Sequence, residues 1–186
     1  MIFRIKIDNK IKNIRPLCTN MGICQSSNLN LKNATNDIPF FDFKDKKFTV
    51  KVVDVYDGDT CTVVFDYNNE LVKYKVRCMG YDSPEMKPSK DLKNRSQHIA
   101  KAIQARNFFI SRVTDLNLQL NDSYSKKELK DMFLRNKKLV KMECSGLDKY
   151  GRILGTFKVN NTNINNEMIS RHYGYPYDGG TKQNQI

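Results

Sequence analysis

Between residues 48 and 79 apolar and polar side chains alternate in three short runs, each bounded by turn residues. A chain patterned this way is committed to a small, tightly turned sheet. FTVKVVDV at 48–55 ends at the turn Tyr56-Asp57-Gly58-Asp59, TCTVVF at 60–65 is followed by Asn68-Asn69, and LVKYKVRCM occupies 71–79. β-Branched residues in alternation, punctuated by Asp-Gly and Asn-Asn, are the local signature of strands in hairpin connection. In the third run Val76 and Cys78 share one face and Arg77 takes the other. Beyond Pro88 the period changes: Ile99, Ala102, Ile103, Phe109, Ile110 and Val113 form one stripe of a helix over 96–113. Ser125-Lys-Lys-Glu128 is a capping box, with Leu129, Met132 and Phe133 behind it at helical spacing. Strands return at 138–144 and 153–159, a turn falls at Asn160-Asn161, and a last helix is expected over 166–172, before GYPYDGGTK. Consecutive short strands with few helices suit a small barrel better than alternating βαβ units.

The 186 residues suffice for one core of useful size. Residues 1–40, rich in Asn, Ser and Lys, read as a flexible N-terminal tail, 41–180 as the folded domain and 181–186 as a C-terminal tail. Thirty-two Lys and Arg against 20 Asp and Glu leave a net charge of +12, which attracts polyanions, nucleic acid foremost. Charge alone does not separate a binding module from an enzyme. Five cysteines with no C-x-x-C point neither to a disulfide framework nor to a zinc site, so an intracellular, cytoplasmic setting is expected. The charged N-terminus makes a poor secretory signal, and no apolar run is long enough for a membrane span.

Four segments concentrate the chemistry: Asp57-Gly58-Asp59-Thr60, Arg77, Asp82-Ser83-Pro84-Glu85 and Asp148-Lys149-Tyr150-Gly151-Arg152. Singly, the first is an ordinary hairpin turn and the third a turn or helix start. Arg77 is sharper, because an arginine within an apolar strand wants a partner. Together they describe a phosphoryl-transfer site. Asp59 and Asp82, at strand ends, offer two carboxylates to a hard cation such as calcium, with the Ser83 carbonyl close by. Glu85 is placed to orient a water and accept its proton. Arg77 and Arg152 bring planar, bidentate donors to the charge that builds on phosphate oxygens. His98 and His172 sit as surface or capping residues and carry no assigned chemistry.

The ordered set D-G-D-T, strand Arg, D-S-P-E and D-K-Y-G-R resembles the staphylococcal nuclease (thermonuclease) family over roughly 45–180. The resemblance implies a mainly β fold with helices (α+β), a five-stranded OB-fold barrel flanked by helices. It implies one Ca2+ ion held by Asp59, Asp82 and the Ser83 carbonyl, Glu85 as general base, and Arg77 and Arg152 polarising the phosphate. The implied activity is hydrolysis of DNA or RNA on the 5′-oxygen side, leaving 3′-phosphate ends. Lys149 and Tyr150 match positions near a terminal nucleotide phosphate, and Tyr175 and Tyr177 are placed to stack on a base. Ser83 stands where the family usually has threonine, and residues 117–137 read as an insertion carrying a basic extra helix.

The rival reading is a non-catalytic OB-fold reader of nucleic acid; the presence of both carboxylates, the base and both arginines favours the enzyme. Met21-Gly22-Ile23-Cys24-Gln25-Ser26 fits an N-myristoylation pattern if translation begins at Met21, with Cys24 open to a second acyl chain. Membrane attachment through Gly22 and Cys24 is expected only in that case.

Overall fold

The structure, a computed structural model, describes residues 31–179. Met21, Gly22 and Cys24, with the rest of the first thirty residues, lie outside the described residues, as does the 181–186 segment. The barrel and its helices belong to the compact unit that begins at Asp42, distinct from the residues up to Phe41. No helix among the described residues is long and apolar enough to cross a membrane.

Strands β1 (Lys47–Val55), β2 (Thr60–Tyr67) and β3 (Glu70–Cys78) form an antiparallel meander. Asn68 and Asn69 join the last two with φ of 54° and 66°. Two successive left-handed residues are the requirement of a tight hairpin turn, and asparagine tolerates them better than most side chains. After β4 (Tyr81–Asp82) come α1 (Arg95–Val113) and α2 (Lys126–Arg135), then β5 (Val140–Leu147), β6 (Ile153–Val159), the short β7 (Thr162–Asn163), α3 (Ile164–Ser170) and β8 (Tyr175–Pro176). β5 pairs antiparallel with β1 and β6 with β5. β6 then runs parallel to β3, Val76 opposite Ile153 and Arg77 opposite Leu154, which closes a five-stranded barrel. One parallel seam and three packed helices make this an OB-fold-like α+β domain.

The alternation read in the sequence fills the barrel. Val50, Val52, Val63, Val76, Met142, Ile153 and Phe157 are fully buried. The seam needs Gly155: a Cβ there would stand 2.7 Å from Val76 Cγ1, so only glycine lets β6 approach β3. One end of the barrel is plugged by Phe43, whose ring meets Phe48, Phe65, Tyr67 and Tyr74 edge-on at centroid distances of 5.0 to 5.9 Å.

Two elements differ from expectation at their ends. β5 starts at Val140 rather than 138, because Lys138 is tied to the end of α1. Its Nζ donates to the carbonyls of Arg112 (2.7 Å) and Thr114 (3.1 Å). The last helix starts earlier, at Ile164, because the Asn163 side chain accepts from the Asn166 N–H and caps it. The capping box at Ser125 and Glu128 is formed in both directions. Behind it Leu129 and Phe133 are buried while Leu134 stays exposed.

Three buried asparagines pin the connections. Asn107 Nδ2 donates to the carbonyls of Gln119, Leu120 and Asp122, and Asn136 Nδ2 to that of Val52. Asn165 reaches Met79 and Gly155. The segment 117–137 is thereby anchored at both ends, to α1 and to β1.

Candidate active site

The site sits where four chain segments meet. The β1–β2 turn supplies Asp57 and Asp59, the end of β3 supplies Arg77, β4 supplies Asp82 and leads into Ser83 and Glu85, and β8 supplies Tyr175. The turn comes very close to Ser83. A Cβ on Gly58 would lie 2.8 Å from Ser83 Cβ and 3.0 Å from Ala105 Cβ, so the contact exists because residue 58 has no side chain. The Tyr81 hydroxyl, fully buried, donates to the Gly58 carbonyl and holds the turn in place.

Asp59 and Asp82, 4% and 0% exposed, turn their carboxylates toward one point, and the Arg77 guanidinium occupies it. Its Nη1 is ion-paired with Asp59 Oδ1 and its Nη2 with Asp82 Oδ1. The remaining oxygens are also used. Asp59 Oδ2 accepts from the Ser83 N–H (2.7 Å) and hydroxyl (2.8 Å), Asp59 Oδ1 from the Thr60 hydroxyl (2.9 Å), and Asp82 Oδ2 from the Tyr175 hydroxyl (2.7 Å). Two buried carboxylates thus share a single guanidinium.

Asp57 is buried beside this group. Its carboxyl accepts from the Asp59 N–H at 3.2 Å. Burial pushes its pKa up to about 6; the Arg77 charge opposes the shift and the Glu85 charge adds to it. Glu85 itself is exposed at the rim, near enough to act on Asp57 electrostatically.

Arg152 ends the β5–β6 turn, one residue before β6, the strand whose Leu154 lies opposite Arg77. Asp148 organises it. One carboxylate oxygen accepts from the N–H groups of Tyr150 and Arg152, both at 2.9 Å, and the other from Arg152 Nε at 2.7 Å. Burial works to raise the Asp148 pKa, but these hydrogen bonds and the Arg152 charge outweigh it and hold it below the ordinary value. The guanidinium lies 5.5 Å from the Tyr150 ring centroid and Lys149 Nζ lies 5.1 Å from it, a cation–π grouping on an exposed ring.

The family model for staphylococcal nuclease homologues matches residues 75–183, more than half the chain. The chain belongs to the staphylococcal nuclease family. A comparison with curated proteins gives no match. The family match opens at Lys75, after the Asp57–Asp59 turn, yet the barrel carries that turn onto Arg77 and Asp82 inside the matched region. Membership brings a nuclease or nucleic-acid-binding fold.

In this family member, then, direct contacts join Asp59, Arg77, Asp82, Ser83 and Tyr175. Glu85 stands at the rim, and Arg152 with Lys149 and Tyr150 forms a second group in the turn between β5 and β6. The Tyr177 backbone N–H bonds to the Gly80 carbonyl at 3.0 Å, extending the β4–β8 pairing. Sequence reasoning considered only the carbonyl of Ser83, whereas its hydroxyl and N–H both hold Asp59. It named Asp57 and Asp148 within their motifs but gave neither a role of its own. The i, i+4 spacing of Asp148 and Arg152 was a usable signal for the second; nothing local marks the first.

Proposed function

We propose that the chain is a calcium-dependent nuclease that hydrolyses phosphodiester bonds of DNA or RNA on the 5′-oxygen side and leaves 3′-phosphate ends. The observation that carries this reading is the pair of buried carboxylates, Asp59 and Asp82, converging on the Arg77 guanidinium with Glu85 at the rim. Their acceptor-only oxygens are the hard donors calcium prefers, and binding the ion there requires the Arg77 guanidinium to turn from the carboxylates toward the phosphate. Among the described residues no group of three or more His, Cys, Asp or Glu forms a metal cluster. The proposed set is the carboxylates of Asp59 and Asp82 with neutral oxygens, the Ser83 carbonyl among them. Bound there, calcium supplies Lewis-acid stabilisation of the phosphate charge.

The remaining work falls to the protein's own groups. Glu85 orients the attacking water and takes its proton. Arg77 and Arg152 donate in bidentate fashion to the non-bridging oxygens as charge builds on them, which a lysine cannot reproduce. Lys149 and Tyr150 meet a terminal phosphate, and the rings of Tyr175 and Tyr177 offer faces to a base.

The test is incubation of labelled single-stranded DNA and RNA with the protein in calcium and in excess chelator, followed by sizing and end-group analysis. Cleavage to 3′-phosphate ends in calcium alone is expected. Glu85→Gln should lower turnover by about 10²–10⁴ with substrate affinity retained. Cutting that persists in chelator, or that survives Glu85→Gln undiminished, would sink the mechanism. Tight binding by the wild type without any cleavage would instead make the domain a reader.

A further inference from the structure

A groove of about 910 Å³ runs along the outer face of β1, β2 and β3, with α2 as its far wall. Its lining is strongly cationic. Lys73 and Lys75 share the outer face of β3 with Arg77, at two-residue intervals of about 7 Å, so the row leads straight into the candidate active site. Across the sheet Lys73 lies opposite Val64, which lies opposite Lys51. α2 adds Lys126 and Lys130, one turn apart. The one carboxylate that lines the groove is Asp54. Among the described residues none of these lysines has an ion-pair partner.

Arg106, on α1, is the sharper observation. It lines the same groove and is only 7% exposed. Among the described residues its side chain meets no carboxylate, and its hydrogen bonds are two long ones, 3.4 and 3.5 Å, to the Oδ1 of its neighbour Asn107. A buried guanidinium left on weak neutral contacts is costly, and an anion entering the groove would relieve it. Three segments make the groove continuous with the site: Tyr56 precedes Asp57, Lys75 stands two residues from Arg77, and Met86 and Lys87 follow Glu85.

We propose that this groove holds a single strand of nucleic acid running outward from the scissile bond, its phosphates on the lysine row, on α2 and on Arg106. The proposal rests on the nuclease reading for where the strand leads. The half-exposed ring of Tyr56, at the end nearest the site, offers a stacking face to an unpaired base. That ring favours nucleic acid over an acidic protein segment, for which the lysines alone would serve. The segment 117–137 is thus part of the binding surface: α2 turns an open barrel face into a two-walled channel.

The test uses the full chain in chelator, measuring binding of oligothymidylates of about 3 and about 15 nucleotides across a salt series. The longer strand should bind more tightly and with the steeper salt dependence. Lys126→Ala with Lys130→Ala, both exposed positions, should reduce the slope of log affinity against log salt for the longer strand by about 1.4. Tyr56→Ala should weaken the longer strand by about tenfold. Arg106→Gln should act in the same direction, with thermal melting run on each variant as a check of folding. Equal affinity for both lengths, or an unchanged slope in the folded lysine variant, would overturn the proposal. So would polyglutamate binding as tightly as the longer strand and indifferent to Tyr56→Ala, which would assign the groove to an acidic protein. Groove binding that behaves as expected in a protein that cuts nothing would remove the nuclease reading and leave the channel standing.

Discussion

Gly58 controls the site more tightly than its lack of a side chain suggests. Gly58→Ala would set a Cβ against Ser83 Cβ at 2.8 Å, and a side-chain stub on the backbone cannot swing aside. Ser83 holds Asp59 through both its N–H and its hydroxyl, so the clash is transmitted to a proposed calcium ligand. A loss of about 1–3 kcal/mol in stability is expected, together with a fall in calcium affinity measured by titration calorimetry. Unchanged calcium affinity in the folded variant would uncouple the turn from the site. Asp148→Asn tests the second group. Loss of its charge should loosen Arg152 and lower kcat by about tenfold, equivalent to about 1.4 kcal/mol in the barrier. The wild type should also carry an acid-sensitive increment of stability. Because the folded-state pKa of Asp148 is depressed, the increment is complete above the ordinary value of 3.8 and disappears as pH falls below it through the folded value. Urea midpoints between neutral pH and the acid limb should fall more steeply in the wild type than in Asp148→Asn. Asp57 was given no role of its own in the sequence because an aspartate before glycine looks the same whether its turn is solvated or buried. Arg106 and Asn107 escaped likewise: polar residues in a helical pattern default to the solvent side, and only the groove and the 119–122 carbonyls reveal what they face.

At the level of elements, local periodicity carried the strands and the long helix, and a local hydrogen-bond motif carried α2. Ser125 and Glu128 satisfy each other's backbone donors, so Ser125→Ala should cost about 1 kcal/mol and lower the melting midpoint by about 2–4 °C. A midpoint that did not move would mean that α2 is held by Leu129 and Phe133 packing alone. The pieces that were illegible are short and non-local. β4 and β8 are two residues each, too brief for any period, and they exist because Tyr81 and Asp82 find Tyr175 and Pro176 across nearly the whole domain. The early start of α3 depends on a single cap, Asn163, itself the second residue of a two-residue strand. The β5 boundary depends on where the Lys138 ammonium finds carbonyls, which no window of sequence contains. The four chemical motifs were legible because their order along the chain matches a family pattern, although their meeting in space rests on the β3–β6 seam.

For the whole molecule, that seam has a temporal meaning. Residues 76–78 pair with 153–155, so closure waits for a contact between distant parts of the chain, the kind that forms slowly. A fragment ending at residue 147 keeps Asp59, Arg77, Asp82 and Glu85 but lacks β6, Arg152 and Tyr175. It should show no cooperative transition by calorimetry and no cleavage; a cooperative, active fragment would show that closure is dispensable. During synthesis the same limit applies. A ribosome carries an RNA message beside every nascent chain, and a protein able to cut RNA as soon as its first carboxylates emerged would threaten its own template. Here the hydroxyl that anchors Asp82 belongs to Tyr175, among the last residues of the domain to be made, and the second arginine comes with β6. Under the nuclease reading proposed above, the order of the chain leaves the site incomplete until β6 and Tyr175 have been made.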